Sequence, residues 1–270
     1  MLKIGVIGCG AIGAQICRAI DSGAINAKLT AIYDRSDKHC EMLLESLKIR
    51  PVVSLPAELI KNADIVVECA SQAAVGEHGL CVLNGGKDLM IMSVGALMDQ
   101  KLLDDLVNSA KSNNCKIYIP SGAISGIDGL RSAKIASIDR VEISTIKNPK
   151  GLEGAPFMIE NNIDPYSFQK KTMIFNGNAK EAVKAFPANV NVAASLSLAG
   201  IGFEKTRVKV FVDPKISRNI HEIRVEGDFG NFTSRIENIP SKDNPRTSLL
   251  AALSAIATLK KITEPLQIGT

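Results

Sequence analysis

The stretch that most constrains this chain lies in its first twenty residues. Lys3-Ile4-Gly5-Val6-Ile7 is a short apolar run, Gly8-Cys9-Gly10-Ala11-Ile12-Gly13 is a glycine-rich turn, and an apolar-periodic segment follows from Ala14 to Ile20. Read as strand, tight turn and helix, this is the fingerprint of a dinucleotide-binding unit. Gly8 permits the tight turn, Gly10 lets the backbone approach a pyrophosphate, and Gly13 lets the helix pack close to the strand. Ala11 and Ile12 open the helix, whose free N–H groups and partial positive charge favour phosphate. The next apolar run, Lys28 to Tyr33, ends at Asp34. A carboxylate about 20 residues past the turn suits the adenosine ribose and points to NAD. Arg35 follows at once, and a guanidinium there can instead meet a 2′-phosphate, so NADP stays open.

Strand-like and helix-like segments alternate through residue 120. After Tyr33 come a helix over 39–47, a short strand over 51–54 and a helical turn at 56–61. The run ADIVVE (63–68) is the apolar strand that a buried parallel sheet requires. A helix over 71–84 ends at Gly85-Gly86, and strand 88–92, helix 100–113 and strand 116–119 complete the series. The pattern implies a doubly wound parallel sheet over 1–120, a Rossmann domain. Past Pro120 the character changes. A short helix at 127–134 is followed by strands at 138–147, 171–175, 206–212, 221–226 and 231–238, with one small-residue helix over 189–200 among them. This reads as an α+β domain over 121–243 with an open mixed sheet. A sheet face left apolar would need cover by helix or by a partner subunit, and a homodimer is expected on that ground. A final helix within 244–262, with Asn244 as cap and Pro245 at its first position, is expected to pack back on the first domain.

Composition supports a globular reading: 270 residues, 46% hydrophobic and 22% charged, are enough for two cores. The net charge of +4 is spread without a basic block, which argues against nucleic acid. No apolar run reaches membrane-spanning length, and no leader pattern precedes the first strand, so a cytoplasmic protein is expected. Six scattered cysteines with no CxxC read as reduced thiols, and no metal site is expected. Cys69, after a strand at the sheet's cofactor edge, is the one thiol to check as a nucleophile.

Ligands of such sheets bind outside the carboxyl ends of the strands. Cys69-Ala70-Ser71-Gln72 and Ser93-Val94-Gly95-Ala96 end two of them. Ala70, Ser71 and Gly95 are therefore candidates for the nicotinamide end, although turn chemistry alone also uses such residues. Of three histidines, His39 and His78 fall on helices of the first domain. His221 opens a strand of the second, where it would suit a general base or a surface strand position; spacing does not decide between them. The helix starts near Asn189 and Thr247 can hold a carboxylate through free N–H groups or serve only as caps.

Six stretches together resemble the L-aspartate dehydrogenase family: GVIGCGAIG (5–13), IMSVGAL (91–97), IPSGAISGIDGL (119–130), FPANVNVAASLSLAG (186–200), NIHEIRVEGDFG (219–230) and NPRTSLLAALSA (244–255). The resemblance runs from end to end. It implies NAD(P)-dependent oxidation of L-aspartate to iminoaspartate, which hydrolyses to oxaloacetate and ammonia, and a role in supplying NAD biosynthesis. It also implies that His221 is catalytic and that Ala123 and Asn189 contact the cofactor. Asn189, Thr247 and His221 are the candidates for holding the substrate. The paired-histidine and lysine motif of dihydrodipicolinate reductases is missing. So is the Glu-Lys-Pro of glucose–fructose oxidoreductases, whose place is taken by Ser93-Val94-Gly95. Two other readings remain at this stage: an NAD(H)-binding sensor that needs no base, and another dehydrogenase with a different small substrate, such as one working through Cys69.

Overall fold

The structure, a computed structural model, describes residues 1–187, 190–241 and 247–269. The chain divides into two compact units. One comprises Met1–Gly122 with Ala251–Ile268, and the other centres on Ala123–Leu250.

The first unit alternates strand and helix: β1 (Leu2–Ile7), α1 (Ala11–Asp21), β2 (Ala27–Tyr33), α2 (Asp37–Glu45), β3 (Val52–Val53), α3 (Pro56–Lys61), β4 (Ile65–Glu68), α4 (Gln72–Asn84), β5 (Asp88–Ile91), α5 (Gln100–Ser112) and β6 (Ile117–Tyr118). The six strands form one sheet in the order β3-β2-β1-β4-β5-β6, with every pair parallel. The order reverses between β1 and β4, which is where such sheets open a crevice for a ligand. All four residues of β4 are buried, as a strand covered on both faces demands. The core joins Ile4, Val6, Ile16, Ile32, Val67 and Met90 to Ala255 and Leu259. The last two lie on α10 (Leu249–Thr263), so this distant helix completes the core of the first unit.

The second unit contains α6 (Ile127–Ala133), β7 (Ile138–Lys147), α7 (Pro156–Glu160), β8 (Thr172–Asn178), α8 (Ala179–Ala185), α9 (Val190–Ala199), β9 (Arg207–Val212), β10 (Asn219–Gly227) and β11 (Gly230–Asn238). Its sheet runs β11-β10-β7-β9-β8 and is mixed: β7 pairs β9 in parallel, and the other pairs are antiparallel. Alternation sorts the side chains. Val141, Ile143, Val208, Val210, Ile223 and Val225 share one face and pack with residues of the helices, among them Leu130, Met158, Phe186 and Leu196. The opposite face carries ion pairs, Arg140–Glu142–Lys209 and Arg224–Glu226 among them. Farther along, the same face carries an apolar row across four strands, Ile220–Ile146–Phe211–Met173, with Met173 half-exposed, so part of the open face is apolar as the pattern suggested.

Two short helices, α7 and α8, stand where the sequence reading placed none. At five and seven residues they are too short to show a period. The second nevertheless carries a capping box, in which the side chains of Asn178 and Glu181 each accept the other's backbone N–H at 2.9 Å. The strand bearing His221 also begins two residues earlier than expected, because Asn219 and Ile220 pair with Asn238 and Glu237. His221 is thus the third residue of an inner strand.

Candidate active site

In the first unit, Gly8 has φ +105°, and a Cβ there would lie 2.7 Å from the backbone of Cys69 and Ala70. A Cβ on Gly13 would come closer still to the carbonyl of Gly8, so only glycine allows α1 to start this near β1. Gly10, at the helix N-cap, has open space on its Cβ side. Behind it stand the first turn of α1, with Ala11 and Ile12, and its unpaired N–H groups. Asp34 closes the turn from the end of β2. Its Oδ2 accepts the Cys9 N–H at 2.8 Å and its Oδ1 accepts the Ser36 N–H at 2.9 Å. The carboxylate keeps 15% exposure. Arg35 turns outward, 65% exposed, and donates to both carboxylate oxygens of Glu77 at 2.6 and 2.8 Å. A tight turn, an open glycine, a helix N-terminus and a ribose-side carboxylate fit a nicotinamide dinucleotide.

At the carboxyl end of β4 the structure shows a residue that the sequence reading passed over. Glu68 is 2% exposed. Its Oε1 accepts the N–H groups of Ala70 and Ser71 at 2.8 and 2.9 Å and the Ser93 hydroxyl at 2.9 Å. Its Oε2 accepts the Ser93 N–H at 3.1 Å. One carboxylate thus ties the turn after β4 to the turn after β5. Ala70 and Ser71 spend their N–H groups on Glu68, and the Ser71 hydroxyl caps α4 by accepting from Ala74. Gly95 is buried in a 3-10 turn over Val94–Met98. Burial lifts the Glu68 carboxyl above its ordinary value, against the pull of the four donors. The available signal was a charged residue ending an otherwise apolar strand.

Cys69 is no nucleophile. Its thiol lies near the carbonyls of Gly8 and Ile7, at 3.2 and 3.4 Å, and burial pushes it well above the ordinary thiol value. All six cysteines are free, with Cys9 and Cys40 in thiol–thiol contact at 3.7 Å. Among the described residues, no helix is long and apolar enough to cross a membrane.

In the second unit the inner sheet face changes from apolar to polar along its length. The row Val141–Val225 is followed by Ile143–Ile223, and then by Thr145–His221. Lys147, in phase with Thr145, and Asn238, opposite Asn219, end their strands beyond that row. His221 is 6% exposed, and its Nδ1 lies 3.0 Å from Thr145 Oγ1. With Nδ1–H donating to that hydroxyl, the lone pair on Nε2 is left to accept a proton. Burial, helped by the Lys147 charge, lowers His221 to about 4. The ring is neutral near pH 7.

Lys147 is 7% exposed. Its Nζ donates to the Gly151 carbonyl at 3.4 Å, and no acidic side chain among the described residues pairs with it. Burial lowers its ammonium to about 8. Asn238, 3% exposed, donates to the Ala123 carbonyl at 3.0 Å and accepts from the Ser248 hydroxyl at 2.5 Å. It holds the turn at Ala123 and the segment at Thr247-Ser248 to one end of β11. Thr247 is half-buried, and its carbonyl accepts the Ser241 N–H at 2.7 Å.

Comparison with known proteins agrees with this architecture. Residues 128–262 match the family described as aspartate dehydrogenase, C-terminal, and residues 8–120 match the homoserine dehydrogenase NAD-binding domain. The L-aspartate dehydrogenase of Methanococcoides burtonii is 58% identical over 271 residues, covering 100% of both chains. That of Bradyrhizobium diazoefficiens is 41% identical, covering 100% of this chain and 94% of its own. This chain belongs to the aspartate dehydrogenase family. The crystal structure of an aspartate dehydrogenase from Thermotoga maritima superposes with a TM-score of 0.77 at 31% identity, covering 100% of both chains.

Within this aspartate dehydrogenase fold, the first unit gathers Gly8, Gly10, Ala11, Ile12, Gly13 and Asp34 at one turn. The second unit gathers Ala123 and Thr247 about Asn238, and His221 about Thr145. Asn189, expected to contact cofactor and substrate, lies outside the described residues, as do the cap residues Asn244 and Pro245. The sequence reading missed Glu68, Thr145, Lys147 and Asn238. For Lys147 the signal was its phase: it continues the series Val141, Ile143, Thr145 on the buried face.

Proposed function

We propose that this chain oxidises L-aspartate to iminoaspartate with a nicotinamide dinucleotide, and that His221 is the proton acceptor. The observation that carries the reading is a buried imidazole whose Nδ1 meets the Thr145 hydroxyl, in a chain 58% identical to an L-aspartate dehydrogenase. A bound nicotinamide would supply the acceptor for the hydride of the substrate Cα. Only the neutral amine can expel that hydride, so the substrate ammonium must first lose a proton. His221 takes it at Nε2, with Thr145 holding the ring through Nδ1. The same nitrogen, once the proton has moved on, can activate the water that attacks the imine.

NAD is the preferred cofactor in this reading. Asp34 presents a carboxylate where a 2′-phosphate would be repelled, and Arg35 is engaged by Glu77. Cofactor contacts are assigned to the glycine turn, Ala123 and Asn189. A homodimer formed through the open sheet face, where Met173 stands half-exposed beside Phe211, completes the proposal. Its product chemistry suits a supply of iminoaspartate to NAD biosynthesis.

The test is steady-state turnover with L-aspartate and either NAD or NADP, alongside the His221→Ala variant. Turnover with L-aspartate should exceed that with other amino acids. The variant should lose on the order of 10²- to 10⁴-fold in kcat while binding NADH as before. Near wild-type turnover in the variant would remove His221 from the mechanism.

A further inference from the structure

Lys147 is the only ionisable side chain on the buried face of β7 whose charge the fold leaves without an acidic counter-charge among the described residues. Its neighbours in phase are Thr145, Ile143 and Val141, and its strand partner on β9 is Val212. The other buried ionised group on this strand, Glu142, lies on the opposite face and meets Arg140 at 2.7 Å and Lys209 at 2.9 Å. Among the described residues, the buried carboxylate of this strand is thus neutralised twice and its buried ammonium not at all. A buried cation with one carbonyl contact is costly, and such a charge persists where a ligand supplies the missing partner.

The turn after β7 is built to keep it in place. Gly151 lies beside the lysine stem: a Cβ there would sit 3.3 Å from Lys147 Cδ. Pro149 and Asn148 shape this turn, with the Asn148 side chain accepting the Gly151 N–H at 2.9 Å. The backbone of Lys147 thereby stands one strand row, about 7 Å, beyond Thr145, the partner of His221.

We propose that Lys147 binds the side-chain carboxylate of the substrate, and so selects a dicarboxylic amino acid. The inference rests on the reading that this chain oxidises L-aspartate at His221. Every amino acid brings an α-amine and an α-carboxylate, so these cannot discriminate. The second carboxylate is the distinguishing group, and Lys147 follows Thr145, the partner of His221, by one step on the same sheet face. An ion pair formed there would also cancel the positive charge that disfavours protonation of His221. Binding of the correct substrate would thus strengthen the base.

The experiment uses full-length wild-type protein with Lys147→Met and Lys147→Arg. Turnover is measured with L-aspartate, L-asparagine and L-alanine, and succinate binding is measured by calorimetry in the presence of NADH. Lys147→Met should raise KM for L-aspartate and weaken succinate by about 100-fold, as loss of a buried charged contact does. Its kcat/KM for L-alanine, which has no side-chain carboxylate to lose, should not fall, and Lys147→Arg should restore most of the succinate affinity. If wild type oxidises L-aspartate and Lys147→Met keeps its KM within about twofold, the proposal is overturned while the reading of the activity stands. Wild type inert to L-aspartate would overturn that reading. In that case succinate binding that depends on Lys147 supports the carboxylate site, and succinate binding that is absent or independent of Lys147 overturns it.

Discussion

Glu68 and Lys147 are both buried charged residues at the carboxyl end of a strand, and their surroundings are opposite. Glu68 receives four hydrogen bonds, three of them from backbone N–H groups. Among the described residues, Lys147 gives one, at 3.4 Å. The difference has a chemical root. A strand end followed by a turn into a helix exposes N–H donors, which solvate an anion without any counter-ion. An ammonium needs acceptors, and among the described residues Lys147 meets one, the Gly151 carbonyl. The first arrangement is closed and structural, fastening two turns at the cofactor edge. The second is open, and its missing partner is best supplied by a substrate. A buried charge that is fully satisfied describes the scaffold; one left short describes what the scaffold is for.

The comparison is most easily broken at Glu68. Glu68→Ala should leave the N–H groups of Ala70, Ser71 and Ser93 unpaired and lower stability by about 3–5 kcal/mol, measured by urea unfolding. Glu68→Gln, which keeps one accepting oxygen, should cost less. If Glu68→Ala unfolds at the wild-type midpoint, the four bonds are not structural.

Lys147 should behave in the reverse way. From pH 8 to 10.5 the unfolded chain holds a proton on this lysine that the folded chain sheds. Stability should therefore rise with pH across that window, by about 3 kcal/mol in total. Lys147→Met should abolish the rise and be more stable than wild type at pH 7 by up to about 3 kcal/mol. Thermal unfolding at pH 7, 8.5 and 10 reads both effects. A flat wild-type profile would mean that the ammonium is already paired, and the contrast with Glu68 would disappear. His221 adds to the same trend at lower pH. Its folded-state value of about 4 lies below the ordinary 6.5, so stability should fall as pH drops through that interval.

The smallest effect sharpens the comparison. Thr145→Val preserves shape but removes the partner of His221 Nδ1. It should cost about 1–2 kcal/mol of stability and lower kcat more than it raises KM, because the ring loses its orientation. Thr145→Ser, which restores the hydroxyl, should recover most of both. A Val variant with unchanged kcat would show that Thr145 does not orient the base.

The local pattern by itself determined the first unit. Gly8, Gly10 and Gly13, the buried run ending at Glu68, and the strand–helix alternation require only local conformation and period to be legible, and the sheet follows from them. Asp34 was readable for the same reason, since its place is set by a fixed distance from the turn. Strand positions in the second unit were also legible from alternation, and His221 was marked by family resemblance. What only the tertiary structure decided is which strands lie side by side. Thr145 meets His221 because β7 pairs with β10 across 76 residues of sequence. Asn238 reaches Ala123 across 115 residues. The ion pairs on the outer face of the second sheet were likewise decided by partners on different strands, Glu142 with Lys209. Burial is a property of such neighbours and not of spacing along one strand. That is why Lys147 read as an ordinary strand end in the sequence and proves, once folded, to be a cation that nearly all solvent has left.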